Sequence, residues 1–164
     1  MTENDLMFYA AVGMAIAFLV VGLVRLMTYR TARSWRKHEA ETIGKWRAEG
    51  VNFVRGPVGC QFGGLESTGI TRVIRGIGLV VLTDNDLRIT RAAPLESWCI
   101  GFKQIKGITF QAAFLGKKSN KAPFIVIRFN KNGQTDKLAF QVREFKVWAD
   151  DIAAAARVSL KDKR

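Results

Sequence analysis

The sequence predicts a single N-terminal transmembrane helix joined to a mainly β domain, a seven-stranded curled antiparallel sheet or barrel with a C-terminal α-helix. Three observations carry this. Residues 6–24 hold no charge, apolar positions beyond residue 50 recur every second residue, and residues 144–160 return to helical spacing. The 164-residue length allows one ordinary domain plus an appendage.

Taken first, the uncharged run LMFYAAVGMAIAFLVVGLV would form a helix of about 28 Å at 1.5 Å per residue, close to a bilayer's hydrocarbon thickness. A cleaved leader is disfavoured because the preceding MTEND carries Glu3 and Asp5, and no small-x-small site follows the run. All seven basic residues of the first 50 lie after the run, which predicts a short extracytoplasmic stub and a cytoplasmic remainder. The expected organisation is a stub at 1–5, a transmembrane helix at 6–29, a basic amphipathic helix or linker at 30–50 and a cytoplasmic domain at 51–164. The location so expected is the inner membrane, single-pass, with the N-terminus outside. Gly13 and Ala17, four apart like Ala11 and Ala15, would permit close helix pairing and a homo-oligomer.

Residues 30–50 are rich in helix formers. Trp35 and Trp46, eleven apart, fall within about 20° of each other on a helix, and Arg33, Arg36, Lys37 and Arg47 fall on the far side. That pattern suits a helix lying along anionic headgroups, with Arg30, Arg33, Arg36, Lys37, Lys45 and Arg47 as lipid-surface contacts and Trp35 and Trp46 as interface aromatics. The alternative is a solvated spacer whose Trp face docks on the following domain. His38, the only histidine, reads as a solvated side chain.

Strand periodicity then takes over. LRITR at 87–91, ITFQAAF at 108–114 and LAFQV at 138–142 alternate, as do Trp98, Ile100 and Phe102 with their neighbours. The runs at 78–82 and 124–129 are continuously apolar, so both faces of those strands should be covered. Residues 83–86, 117–121 and 130–135 supply turn chemistry, and VGCQFGGL at 58–65 is a glycine-broken first strand. Phe145, Trp148, Ile152 and Ala156 then form one stripe of a C-terminal helix suited to covering an open end of the sheet.

Seven strands in a bent sheet closed by such a helix describe a pleckstrin-homology (PH) architecture. Residues 52–153 also resemble prokaryotic proteins with a PH-like or GRAM-like domain. The matching stretches are GLESTG at 64–69, Arg75-Gly76-x-Gly78, LVVLTD at 79–84 with Leu87, Pro94, Ile105 with Ile108, Gly116-Lys117, and the hairpin at 124–142 with Trp148. Similar domains often carry Ile-Pro where this chain reads Cys99-Ile100. The fold so implied hosts lipid, peptide and protein binding alike.

Catalytic patterns are missing from the sequence: no G-x-S-x-G elbow, no dinucleotide fingerprint after Arg75-Gly-Ile-Gly78, and no Walker lysine at Gly116-Lys117. Asp84, Asp86 and the glycine-bracketed Glu66 read as turn formers. Cys60 and Cys99 read as strand residues, too few for a disulfide framework or a cysteine-rich metal site. The reading is therefore of a non-enzyme without cofactor or metal. Residues 51–164 hold 19 basic and 9 acidic side chains. Arg72, Arg75, Lys117, Lys118 and Lys121 are candidate headgroup contacts, which the PH-like resemblance implies, and Arg88 and Arg91 are expected on one strand face. The expected function is a membrane-tethered interaction module that holds a membrane or cytoplasmic partner protein and is oriented by the anionic leaflet. The alternative is recognition of an anionic or phosphoinositide-like headgroup. Nucleic-acid binding ranks below both, because most aromatics occupy core positions.

Overall fold

The computed structural model describes residues 3–68, 76–92, 95–119 and 122–161, with no side-chain description at 3–13, 15, 27, 28, 30–32, 34 and 161. The chain divides into two compact units, Met1–Gly44 and Lys45–Arg164. One helix, α1 (Glu3–Ala48), runs without a break through the segments expected as separate transmembrane and juxtamembrane helices.

This corrects the expected topology. Among the described residues, no helix is long and apolar enough to cross a membrane. The side chains of residues 6–13 of the uncharged run lie outside the described residues. The transmembrane helix, the single-pass topology and the inner-membrane location are therefore not supported. The described apolar side chains of 14–26 are exposed on α1.

The second unit is mainly β. Its strands are β1 (Phe53–Leu65), β2 (Gly76–Thr83), β3 (Asp86–Arg91), β4 (Glu96–Gly101), β5 (Ile105–Gln111), β6 (Ala113–Phe114), β7 (Lys117–Lys118), β8 (Phe124–Lys131), β9 (Gln134–Gln141) and β10 (Leu160–Lys161), with helix α2 (Phe145–Ala156) before the last. Seven of them form an antiparallel sheet in the order β5-β8-β9-β1-β2-β3-β4, and β10 adds a short parallel pairing on the outer edge of β5. β6 and β7 pair only with each other.

Local chemistry sets the turns. Thr83 Oγ1 accepts from the Asn85 and Asp86 amides at 3.2 and 3.0 Å and so closes the β2–β3 turn. Asn132 and Gly133, both at positive φ, make the two-residue turn between β8 and β9 that an Asn-Gly pair favours. Leu115 and Gly116 do the same between β6 and β7. Residues 117–118, expected within a turn, are thus the return strand of a small hairpin.

That hairpin explains the continuous apolar run of β8. Ile125, Ile127 and Phe129 face the main core with Val80, Leu82, Leu87, Ile89, Leu138 and Phe140. Phe124 and Val126 face the other way and pack with Phe114, Ala139 and Leu115 in a satellite cluster. Both faces are covered, as such a run demands.

Helix α2 contributes Trp148, Ala149, Ile152 and Ala153 to the main core. It is shorter than the sequence suggested, because Arg157 takes a left-handed conformation (φ 54°) that ends it and frees Leu160 to pair beside β5. Arg55 of β1 holds the helix from outside: it pairs with Asp151, lies 3.7 Å from Glu144 and sits 6.0 Å from the Trp148 ring centroid. Gly56 makes room for that contact, since a Cβ there would meet Val80 O at 2.9 Å and the Trp148 ring at 3.2 Å.

At Gly78 the fit is tighter still: a Cβ would lie 2.2 Å from the Thr90 carbonyl of the paired strand. Gly78→Ala is expected to destabilise the protein by about 1–3 kcal/mol in urea unfolding of the full chain. Gly59→Ala, where a Cβ meets nothing within 4 Å, should retain or raise stability.

Candidate functional site: a cationic cleft beside the small hairpin

Strand β9 ends and α2 begins beside the β6–β7 hairpin, and a cleft of about 790 Å³ opens there. It is lined by Gly59 and Gln61 of β1, Lys117, Lys118, Ser119 and Ala122 of the hairpin and its exit, and Gln141, Val142 and Arg143. Three of these residues are cationic, two are carboxamides and one is a hydroxyl; none is a carboxylate. The side chains arrive together because β1 and β9 are paired, with Gln61 opposite Gln141.

Hydrogen bonds hold the cleft wall. Gln141 donates from Nε2 to Ser119 Oγ at 2.8 Å and also to the Ala122 carbonyl, while Ser119 Oγ donates to that same carbonyl. The Ser119 amide donates to the Ala112 carbonyl at 2.8 Å, fastening the hairpin's exit to its entry. The lysines therefore stand on a braced element. Such a set of cations and neutral donors can neutralise and hydrogen-bond an oxyanion, with Arg143 able to engage two oxygens through its planar fork.

The other expected contacts are dispersed. Arg72, Arg75 and Lys121 lie outside the described residues, and so does the side chain of Arg30. Arg33, Arg36, Lys37, Lys45 and Arg47 are exposed along α1, with Lys37 lying 3.8 Å from Glu41. Trp35 is half-buried, 6.0 Å from the His38 ring. Trp46 is 7% exposed and meets Phe53 edge-on at 6.3 Å, so its indole belongs to the packing of the second unit. Arg143 carried no pattern of its own in the sequence; the packing of Phe114 with Ala139 and the bonds from Gln141 to Ser119 and Ala122 set the hairpin with Lys118 beside it.

Arg88 and Arg91 do not share a face. They are three apart on β3, and a two-residue period sends them to opposite sides. Arg91 is buried with Glu96 at 3.3 Å. Arg88 donates to Glu49 at 2.8 Å and to Asp86 at 3.0 Å, tying the chain just after α1 to the sheet. Asp86 also accepts from Thr83 Oγ1 at 2.8 Å and from the Cys99 thiol at 3.1 Å. Burial pushes the Asp86 carboxyl up, but the hydrogen bonds from Arg88, Cys99 and Thr83 and the Arg88 charge outweigh it and hold it below the usual carboxylate range. Glu66 is exposed and paired with Lys137 at 2.7 Å, next to Ser67, which bonds Asp136. It serves the turn after β1.

Both cysteines are kept as thiols. Burial pushes Cys60 up to about 12. Cys99 rises to about 11 through desolvation first and then the hydrogen bond and charge of Asp86. Among the described residues, no group of His, Cys, Asp and Glu has the arrangement to hold a metal. No protein-family model matches the sequence, and no curated protein matches it either.

Two outcomes test the Asp86 arrangement. Asp86→Asn removes the charge that opposes thiolate formation, so the pH profile of Cys99 alkylation should shift to lower pH, read by mass spectrometry. Because the folded carboxyl lies below its unfolded value of about 3.9, its stabilising effect is full above that pH and is lost as pH falls through the folded value. The urea midpoint of the native protein should accordingly fall with acidification below about pH 4, and less steeply in Asp86→Asn.

Proposed function

We propose that residues 45–164 form a non-catalytic binding module that holds a phosphate-bearing anionic group in the cleft of Lys117, Lys118 and Arg143. The membrane tether of the initial expectation is dropped; the interaction module and its anionic ligand class are kept. One observation carries the proposal: three cations from two separate elements line one cleft, and none of its described lining residues is a carboxylate. Cations at such spacing repel one another, and a bound oxyanion relieves that repulsion. Ser119, Gln61 and Gln141 add the neutral polar groups that orient an oxyanion beyond simple charge attraction.

Against nucleic acid stands the distribution of aromatics. Among the described residues of 45–164 every aromatic side chain is buried or half-buried, which leaves no exposed ring for base stacking. Against catalysis stand two thiols raised above their ordinary range and a Glu66 carboxylate paired with Lys137 at the surface.

The test is binding of the full chain to vesicles of phosphatidylcholine with and without phosphatidic acid, with inorganic pyrophosphate as competitor. Lys118 and Arg143 are both exposed, so Lys118→Gln with Arg143→Gln should leave the fold intact. At about 1 kcal/mol per charge, the double variant should bind anionic vesicles or pyrophosphate about thirty-fold more weakly. Unchanged binding by a folded double variant would refute the reading.

A further inference from the structure

On the other flank of the β6–β7 hairpin, the outer face of β5, β8 and β9 carries a second cationic groove, of about 480 Å³. Its described lining includes Lys106, Arg128 and Lys137, with Thr109, Gln111 and Ser159 as neutral polar groups. The cations come from three adjacent strands: Gly107 stands opposite Arg128, and Arg128 opposite Lys137. Neighbouring strands are about 4.8 Å apart, so the three residues stand side by side across the sheet, Lys137 with its charge shared with Glu66.

Two features make this more than a solvated charged face. Arg128 Nη2 donates to the Lys106 carbonyl at 3.3 Å, which draws the guanidinium toward β5. Lys137 is also positioned, by its 2.7 Å ion pair with Glu66. Val126 forms the apolar floor, and Val158 and Ser159 close the β10 side. The result is a pocket with a cationic rim, an apolar base and hydroxyls at one end.

We infer that this groove is a second phosphate-binding site, separate from the Lys117–Lys118–Arg143 cleft, with Arg128 as the bidentate contact, Lys106 supplying charge and the Glu66-paired Lys137 at its edge. A phosphate group fits because its oxygens can accept from the guanidinium fork while Thr109 and Ser159 donate to the remainder. Residues 137 and 141 of β9 line the two sites and are four residues apart, about 13 Å at strand rise, with Ala139 between them under Phe114. The hairpin thus separates two sites that fill independently, and the protein takes up two phosphate groups.

Backbone amide NMR of the full chain titrated with inorganic pyrophosphate tests this directly. Two sets of shifts are expected, one at Gly107, Thr109 and Ser159 and another at Ser119, Gln141 and Arg143. Arg128→Gln should weaken the first set about tenfold or more and leave the second unchanged. Lys106→Gln, at an exposed position, provides the same reading should Arg128→Gln perturb the fold. Lys118→Gln with Arg143→Gln should do the converse, so loss of one site is distinguishable from loss of the other. Vesicles containing phosphatidic acid that displace pyrophosphate from the first set identify a lipid phosphate as the source, and their failure to displace it identifies a soluble phosphate. Shifts confined to the second set, shifts in the first set that survive both Arg128→Gln and Lys106→Gln, or a groove answering to single-stranded oligonucleotide but not to pyrophosphate would overturn the inference.

Discussion

Strand β1 is hydrogen-bonded along one edge to β2 and along the other to β9, and the remainder of the sheet is built outward from it. Its thirteen residues could not serve both partners as a straight ribbon. Register shifts on the β2 side, between Phe53 and Val58, and on the β9 side, between Phe62 and Gly64, let the strand bend from one half of the sheet into the other. Glycine makes the bends possible where other atoms crowd in. At Gly56 the room goes to the Trp148 ring, and a Cβ at Gly63 would meet the Phe124 ring at 3.0 Å. The same bends that close the core around α2 therefore let the outer face accept a second apolar layer.

That second layer organises the surface chemistry. Phe124, Val126 and Ala139 present an apolar patch away from the main core, and the β6–β7 hairpin covers it with Phe114 and Leu115. Covering the middle of that face leaves its polar ends open on either flank. Lys118 and Arg143 meet at one end, and Lys106, Arg128 and Lys137 meet at the other. Carboxylates, meanwhile, are drawn into pairings elsewhere: Asp86 and Glu49 with Arg88, Asp151 and Glu144 with Arg55, Glu96 with Arg91. Most of the paired carboxylates join elements away from the two clefts; the exception is Glu66, which pairs with Lys137 at the edge of the second groove.

Much of the β domain was legible because strand burial has a two-residue period. Leu87 and Ile89 face the core with Arg88 on the other side, and Leu138 and Phe140 face it with Ala139 turned into the satellite cluster. The turns were legible for a local reason too: the Thr83 and Asn132-Gly133 geometries need only neighbouring residues. Lys117 and Lys118 were readable as a cationic pair but not as a strand, because a two-residue pairing stabilised by Phe114 and Leu115 leaves no periodic trace. Arg143 was illegible as a site residue, since its relation to Lys118 crosses two elements. At the N-terminus, an apolar run of bilayer length followed by basic residues suggested a membrane span, and among the described residues no helix is long and apolar enough to cross one.

Composition and spacing by themselves determined that the chain makes a mainly β unit closed by an amphipathic helix, that it is strongly basic, and that it lacks the common catalytic patterns. These properties are local or additive, so they survive in a linear reading. Which cations share a cleft, which arginine is buried, and that Trp46 packs on Phe53 were decided only by tertiary structure. Each depends on which strands become neighbours and in what register, and a shift of one residue would carry every side chain to the opposite face.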